Sequence, residues 1–169
     1  IKGYPMFKKD EKGQPILTQL ITTKEEIKVD PVQVLPILTA YATRNKDLLK
    51  MIWNAVIYNT VQPNEEDYDA YLEAMLKQRN LVDVDYSLVH FNMTSDTNLI
   101  GMGSGRMALV KAPIVSLHGK NDYVVPFNQA EEMKQYFGEQ AVLIPFEGGH
   151  SLPTDCFDEY IKVLKEHFV

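Results

Sequence analysis

This sequence is short of sulfur, of clustered positive charge and of long apolar runs. Among 169 residues there is one cysteine, Cys156, which excludes an intrachain disulfide and argues against a thiolate metal site. A reducing, cytoplasmic setting fits that count. Seventeen basic residues stand against 23 acidic ones, a net charge of −6, and the basic ones are scattered. A nucleic-acid groove needs a basic stripe, so no nucleic-acid partner is expected. No segment approaches the apolar length needed to span a membrane, so none is expected there either. Internal repeats and low-complexity stretches are absent from the sequence.

What is present suits a well-cored protein: 45% of the residues are hydrophobic. The length allows one ordinary domain, or a domain with a small appendage.

Residues 1–20 read as irregular, because Gly3, Pro5, Gly13 and Pro15 punctuate a mixed run. Thr23-Lys24-Glu25-Glu26 has capping-box spacing and opens a short helix. Asp30-Pro31 signals another helix start, and Pro36 divides residues 31–43 into two short helices. From Asn45 to Asn59, Leu48, Leu49, Ile52, Trp53, Val56 and Ile57 recur at helical spacing. A further helix starts near Pro63-Asn64-Glu65-Glu66, with acids placed where the helix dipole favours them, and another covers roughly Val82 to Phe91. Residues 21–105 therefore form a helical block with a polar, glycine-bearing return from Thr94 to Gly105.

After residue 105 the pattern changes to strand, loop, helix, strand, loop, helix. The strands lie within Pro113-Ile114-Val115-Ser116-Leu117-His118-Gly119 and Ala141-Val142-Leu143-Ile144-Pro145-Phe146. Two continuous apolar strands joined by a helix, about Phe127 to Phe137, make a βαβ unit with a parallel sheet buried on both sides. A final helix, about Cys156 to Phe168, presents Phe157, Tyr160, Ile161, Leu164 and Phe168 to the sheet.

Two polar residues lie just beyond those strands. Asp122 is in the loop Gly119-Lys120-Asn121-Asp122-Tyr123-Val124-Val125-Pro126, and His150 in Gly148-Gly149-His150-Ser151. Read singly, Asp122 is a turn cap and His150 a loop histidine bonded to backbone. Read together, they are a carboxylate and an imidazole at the carboxyl ends of neighbouring parallel strands, where open α/β sheets place their sites. A glycine pair before a histidine also lets the chain turn sharply.

Over residues 108–169 the chain resembles the α/β-hydrolase superfamily. Gly119, Asp122, Val125 and Pro126 match its G-x-x-D-x-x-V-P loop, and Gly149-His150 its G-H step. The resemblance implies an α/β fold, the C-terminal part of a hydrolase core, preceded by an all-helical cap. It implies three parts: a lead-in over 1–20, the cap and its return over 21–105, and the core over 106–169. It also implies that His150 is the general base and Asp122 the acid that orients it. The substrate expected is a small ester, amide or related acyl compound, with no cofactor. The family's G-x-S-x-G nucleophile elbow has no match here. Gly103-Ser104-Gly105 lacks the preceding strand and following helix, and reads as a flexible return. The nucleophile is therefore expected on an N-terminal part of the same hydrolase that these residues do not include, and this chain alone should be inactive. Met102 and Met107 are expected at the pocket rim.

Other readings remain beside this one. A carboxylate-nucleophile relative, of the dehalogenase or epoxide hydrolase type, shares the scaffold. So does a non-catalytic ligand-binding protein. His118 could approach His150 as a metal pair, but a core histidine fits better. Asp155 could rival Asp122 as the acid, though an N-cap role for the last helix suits its position. Gly101-x-Gly103-x-Gly105 lacks the setting of a phosphate loop. Asn92-Met93-Thr94 is a glycosylation sequon only in a secreted protein.

Overall fold

A computed structural model describes residues 1–168, the side chain of Phe168 excepted. That side chain, expected in the sheet-facing stripe, lies outside the described part. The chain is a mixed α/β protein with two compact units, residues 1–49 with 72–110 and residues 50–71 with 111–169. No helix among the described residues is long and apolar enough to cross a membrane.

The first unit opens with an antiparallel hairpin of β1 (Met6–Lys9) and β2 (Pro15–Ile21), where the sequence suggested irregular chain. The residues that looked like breakers are its turn and strand start. Gly13 takes φ 76°, which favours glycine, and Asp10 accepts from the Lys12 and Gln14 amides at 2.8 Å. Pro15 is the first residue of its strand, where a missing N–H costs nothing in the ladder. Met6 and Ile21 then face each other across the hairpin and enter a core with Ile27, Val34 and Val89.

Helix α1 (Lys24–Lys28) begins as its capping box predicts: Thr23 Oγ1 accepts from the Glu26 amide at 3.2 Å. Asp30 also caps, accepting from the Val32 and Gln33 amides, but only a turn comes after it. The helix proper is α2 (Leu35–Thr43), with Pro36 in its first turn. Proline there opens one helix instead of dividing two, since the first-turn N–H groups have no intrahelical partner. Arg44 ends it at φ 51°. Next come α3 (Lys46–Val56), α4 (Glu65–Met75) and α5 (Leu81–His90), with Asn45 and Asn64 side chains capping the first two. Helices α3 and α4 each pass from one unit into the other.

In the second unit, β3 (Ile114–Gly119) pairs in parallel with β4 (Ala141–Phe146), from Ile114 opposite Ala141 to Gly119 opposite Phe146. Helix α6 (Phe127–Phe137) makes the crossover. Phe146, Leu152 and Val163 form the core, with Leu117, Ile144, Cys156 and Tyr160 against it. On the last helix, which spans Phe157–Phe168 after the single turn α7 (Leu152–Asp155) and is labelled α8, it is Val163, absent from the expected stripe, that is buried, whereas Phe157 is 59% exposed. The sheet is less covered than two apolar strands led us to expect. Every β3 residue before Gly119 is only half-buried and Val142 is 46% exposed. Among the described residues this sheet has two strands, so each has one hydrogen-bonded neighbour and one open edge. The second unit also holds Tyr68, whose ring meets Tyr58 edge-on at 5.2 Å and whose hydroxyl donates to Asn54 Oδ1 at 2.7 Å.

Candidate active site

The chain leaves β3 and β4 side by side, and their next residues stay paired. The Lys120 amide donates to the Phe146 carbonyl and the Asn121 amide to the Gly148 carbonyl, both at 2.9 Å. Gly119 is where the two loops come closest. A Cβ there would collide with the carbonyl oxygens of Gly148 and Gly149, backbone atoms that cannot swing aside. The Gly148-Gly149 pair also has a use other than the one read from sequence. Neither takes a left-handed φ. A Cβ on Gly149 would instead run into the Asn59 side chain, so the need is for room.

This parallel continuation brings together the two residues singled out from sequence. His150 Nδ1 lies 3.0 Å from Asp122 Oδ2 and 3.1 Å from Oδ1. A carboxylate only accepts, so Nδ1 carries the proton and Nε2 presents its lone pair. The Asp122 side chain is 6% exposed and the His150 side chain 35%, an anchored carboxylate beside an accessible imidazole. Asp122 is fixed before it meets the ring: its Oδ1 accepts from the Val124 and Val125 amides at 2.8 Å. It is thus both the turn cap that its position suggested and the partner of His150.

His118 does not approach His150 as a metal pair. Its Nε2 donates to the Val125 carbonyl at 2.8 Å, stands 3.6 Å from Asp122 Oδ2, and its ring meets Phe127 edge-on. No group of three or more His, Cys, Asp or Glu among the described residues could hold a metal ion. Asp155 bonds to two backbone amides outside any helix start, so it is no helix cap. Its Oδ2 accepts from the Gly149 amide at 2.7 Å and its Oδ1 from the Val61 amide at 3.0 Å. Cys156 is half-buried in the small core under this loop, and burial pushes its thiol pKa up. Ser104 is no elbow serine: its hydroxyl donates to the Asn92 carbonyl at 3.1 Å inside an irregular return. Met107 is buried, while Met102 is 83% exposed. Asn59 drew no notice in the sequence, being one polar residue after a helix. It donates from Nδ2 to the Asn121 carbonyl at 3.2 Å, next to Asp122.

Such an arrangement, an imidazole steadied by a carboxylate at adjacent strand ends of a parallel α/β unit, is that of hydrolases with an acid–base pair on loops. Residues 50–158, well over half of the chain, match the family model described as Serine hydrolase (FSH1). The chain belongs to this FSH1 serine hydrolase family, part of the α/β-hydrolase superfamily. No curated protein matches it.

Proposed function

We propose that this chain supplies the general base, His150, and the orienting acid, Asp122, of a serine hydrolase cleaving a small ester, amide or related acyl compound. The observation that carries the proposal is the Nδ1–carboxylate contact at 3.0 Å between loops leaving adjacent parallel strands. Membership of a serine hydrolase family favours serine over a carboxylate nucleophile and turnover over silent binding.

In this reading His150 Nε2 takes the proton from a serine hydroxyl as its oxygen attacks the acyl carbon. The imidazolium then gives that proton to the leaving oxygen or nitrogen, and the acyl group stays on the serine. A water molecule, deprotonated by the same Nε2, releases the acid and restores the serine. Asp122 holds the tautomer throughout and stabilises the imidazolium. The serine itself comes from a G-x-S-x-G segment that is not among these residues.

The test is intact-mass analysis of the purified protein, together with any companion polypeptide, before and after a fluorophosphonate probe. Support would be an adduct on a serine outside these residues, slowed about 10⁴-fold by Asp122→Asn, the loss known when a triad carboxylate is neutralised. An adduct formed equally fast in the His150→Ala and Asp122→Asn proteins would refute the assignment. Formation of the adduct on a serine of this chain would refute the placement of the nucleophile.

A further inference from the structure

Asp155 and Asn59 lie far apart in sequence and have no role in the proton transfers above. Asp155 touches the loop that carries His150, and Asn59 touches that loop and the one that carries Asp122. The Asp155 carboxylate uses one oxygen on the Gly149 amide, the residue before His150, and the other on the Val61 amide. The Asn59 amide donates to the Asn121 carbonyl, the residue before Asp122. The Asn121 amide in turn donates to the Gly148 carbonyl at 2.9 Å. These four bonds close a ring: from Asn121 to Gly148, through Gly149 to Asp155, across to Val61, and back along the chain through Asn59 to Asn121. Asp122 and His150 each leave that ring at its next residue.

The ring is tight. The Asn59 Oδ1 is buried, has no hydrogen-bond partner, and is packed so closely on Gly149 that no Cβ could be accommodated there. Leaving a buried acceptor unpaired is unfavourable. The packing keeps it because Nδ2 is held on Asn121. Turning the amide over would set two oxygens against each other. Carboxylate–amide bonds are among the stronger hydrogen bonds, and here one carboxylate joins two backbone segments.

We propose that Asp155, assisted by Asn59, is a positioning residue for the Asp122–His150 pair, fixing the histidine loop to the chain at Val61. The role rests on the acid–base assignment proposed above. It predicts that the Nδ1–carboxylate contact depends on a residue that never touches the imidazole.

The experiment is NMR of the His150 Nδ1 proton in the intact protein, read as its chemical shift and its exchange rate with water. Asp155→Asn is nearly isosteric and puts an NH₂ where one of two backbone N–H groups must bond. It should speed exchange of the His150 Nδ1 proton about tenfold or more, the factor expected for loss of a charge-assisted hydrogen bond. Asp158→Asn, exposed in the first turn of α8, should leave the signal unchanged. Asn59→Ala, which removes only the bond to Asn121, should move it in the same direction, and serves if Asp155→Asn does not fold. A signal unchanged by Asp155→Asn and Asn59→Ala, yet lost in Asp122→Asn, overturns the positioning role and spares the acid–base pair. A shift of equal size in Asp158→Asn also overturns it. If Asp122→Asn leaves the signal untouched, the acid–base assignment itself has failed.

Discussion

Asp85 is a carboxylate that destabilises the protein at neutral pH, and the size of that effect comes from its surroundings. It sits half-buried on α5, and burial first, then the nearby charge of Asp30, push its pKa from the ordinary 3.8 to about 6. Asp30 is itself buried, with Lys9 Nζ 3.4 Å from its Oδ2. A raised carboxyl pKa means that the folded state holds the proton more firmly than the unfolded chain. Below pH 3.8 both states are protonated and the site is neutral to stability. Between 3.8 and about 6 the unfolded chain ionises first, and stability falls as pH rises. Above that window the full penalty persists. At about 1.4 kcal/mol per pH unit the shift corresponds to about 3 kcal/mol, an upper bound that solvent screening of a partly exposed group reduces to about 1–2 kcal/mol. Asp85→Asn should therefore stabilise the protein by about 1–2 kcal/mol at pH near 8 and by little at pH near 4. Urea unfolding of parent and variant at both pH values measures the difference. A gain equal at the two pH values, or a loss near pH 8, would mean that Asp85 does not carry this penalty.

Three other outcomes rest on single contacts. Lys9→Met leaves Asp30 buried without its counter-ion and should cost about 3–5 kcal/mol in the same assay. Tyr68→Phe removes a hydroxyl bonded to Asn54 in a side chain only 1% exposed, and should cost about 1–2 kcal/mol. Gly119→Ala pushes a methyl into the Gly148 and Gly149 carbonyls. It should lower stability by about 1–3 kcal/mol and weaken the His150 Nδ1 signal, because separating those loops separates the pair.

The geometry of the candidate site was legible in the sequence where its determinants are local. Gly119, Asp122 and the Val124 and Val125 amides lie within one turn, so their spacing already encodes the bent loop that holds the carboxylate. The strands β3 and β4 were legible because continuous apolar runs bounded by glycine and proline have few other uses. Asp155 misled, because a carboxylate just before a helix is indistinguishable in sequence from an N-cap. Its actual partner, Val61, is 94 residues away and was brought close only by tertiary packing. Asn59 gave no signal for the same reason. The β1–β2 hairpin was hidden because its turn glycine and edge proline look like disorder until the two strands are placed side by side. Pro36 marked a helix boundary, but a start in place of a break. For Asp155, Asn59 and the hairpin, the partner that decided the residue's meaning lay elsewhere in the chain.

The acid–base pair turns on one proton. Asp122 Oδ1 already accepts from the Val124 and Val125 amides, and Oδ2 makes the shorter of the two contacts to His150 Nδ1, so the carboxylate sets the tautomer chiefly through Oδ2. In Asp122→Asn those same amides keep the side-chain oxygen, and the NH₂ group turns toward Nδ1. The ring must then move its proton to Nε2. Long-range ¹H–¹⁵N correlation of the His150 ring, at a pH where an ordinary imidazole is neutral, reads this directly. The expected result is an Nδ1–H tautomer in the parent and Nε2–H in Asp122→Asn. An Nε2–H tautomer in the parent, or the same tautomer in both proteins, would contradict it.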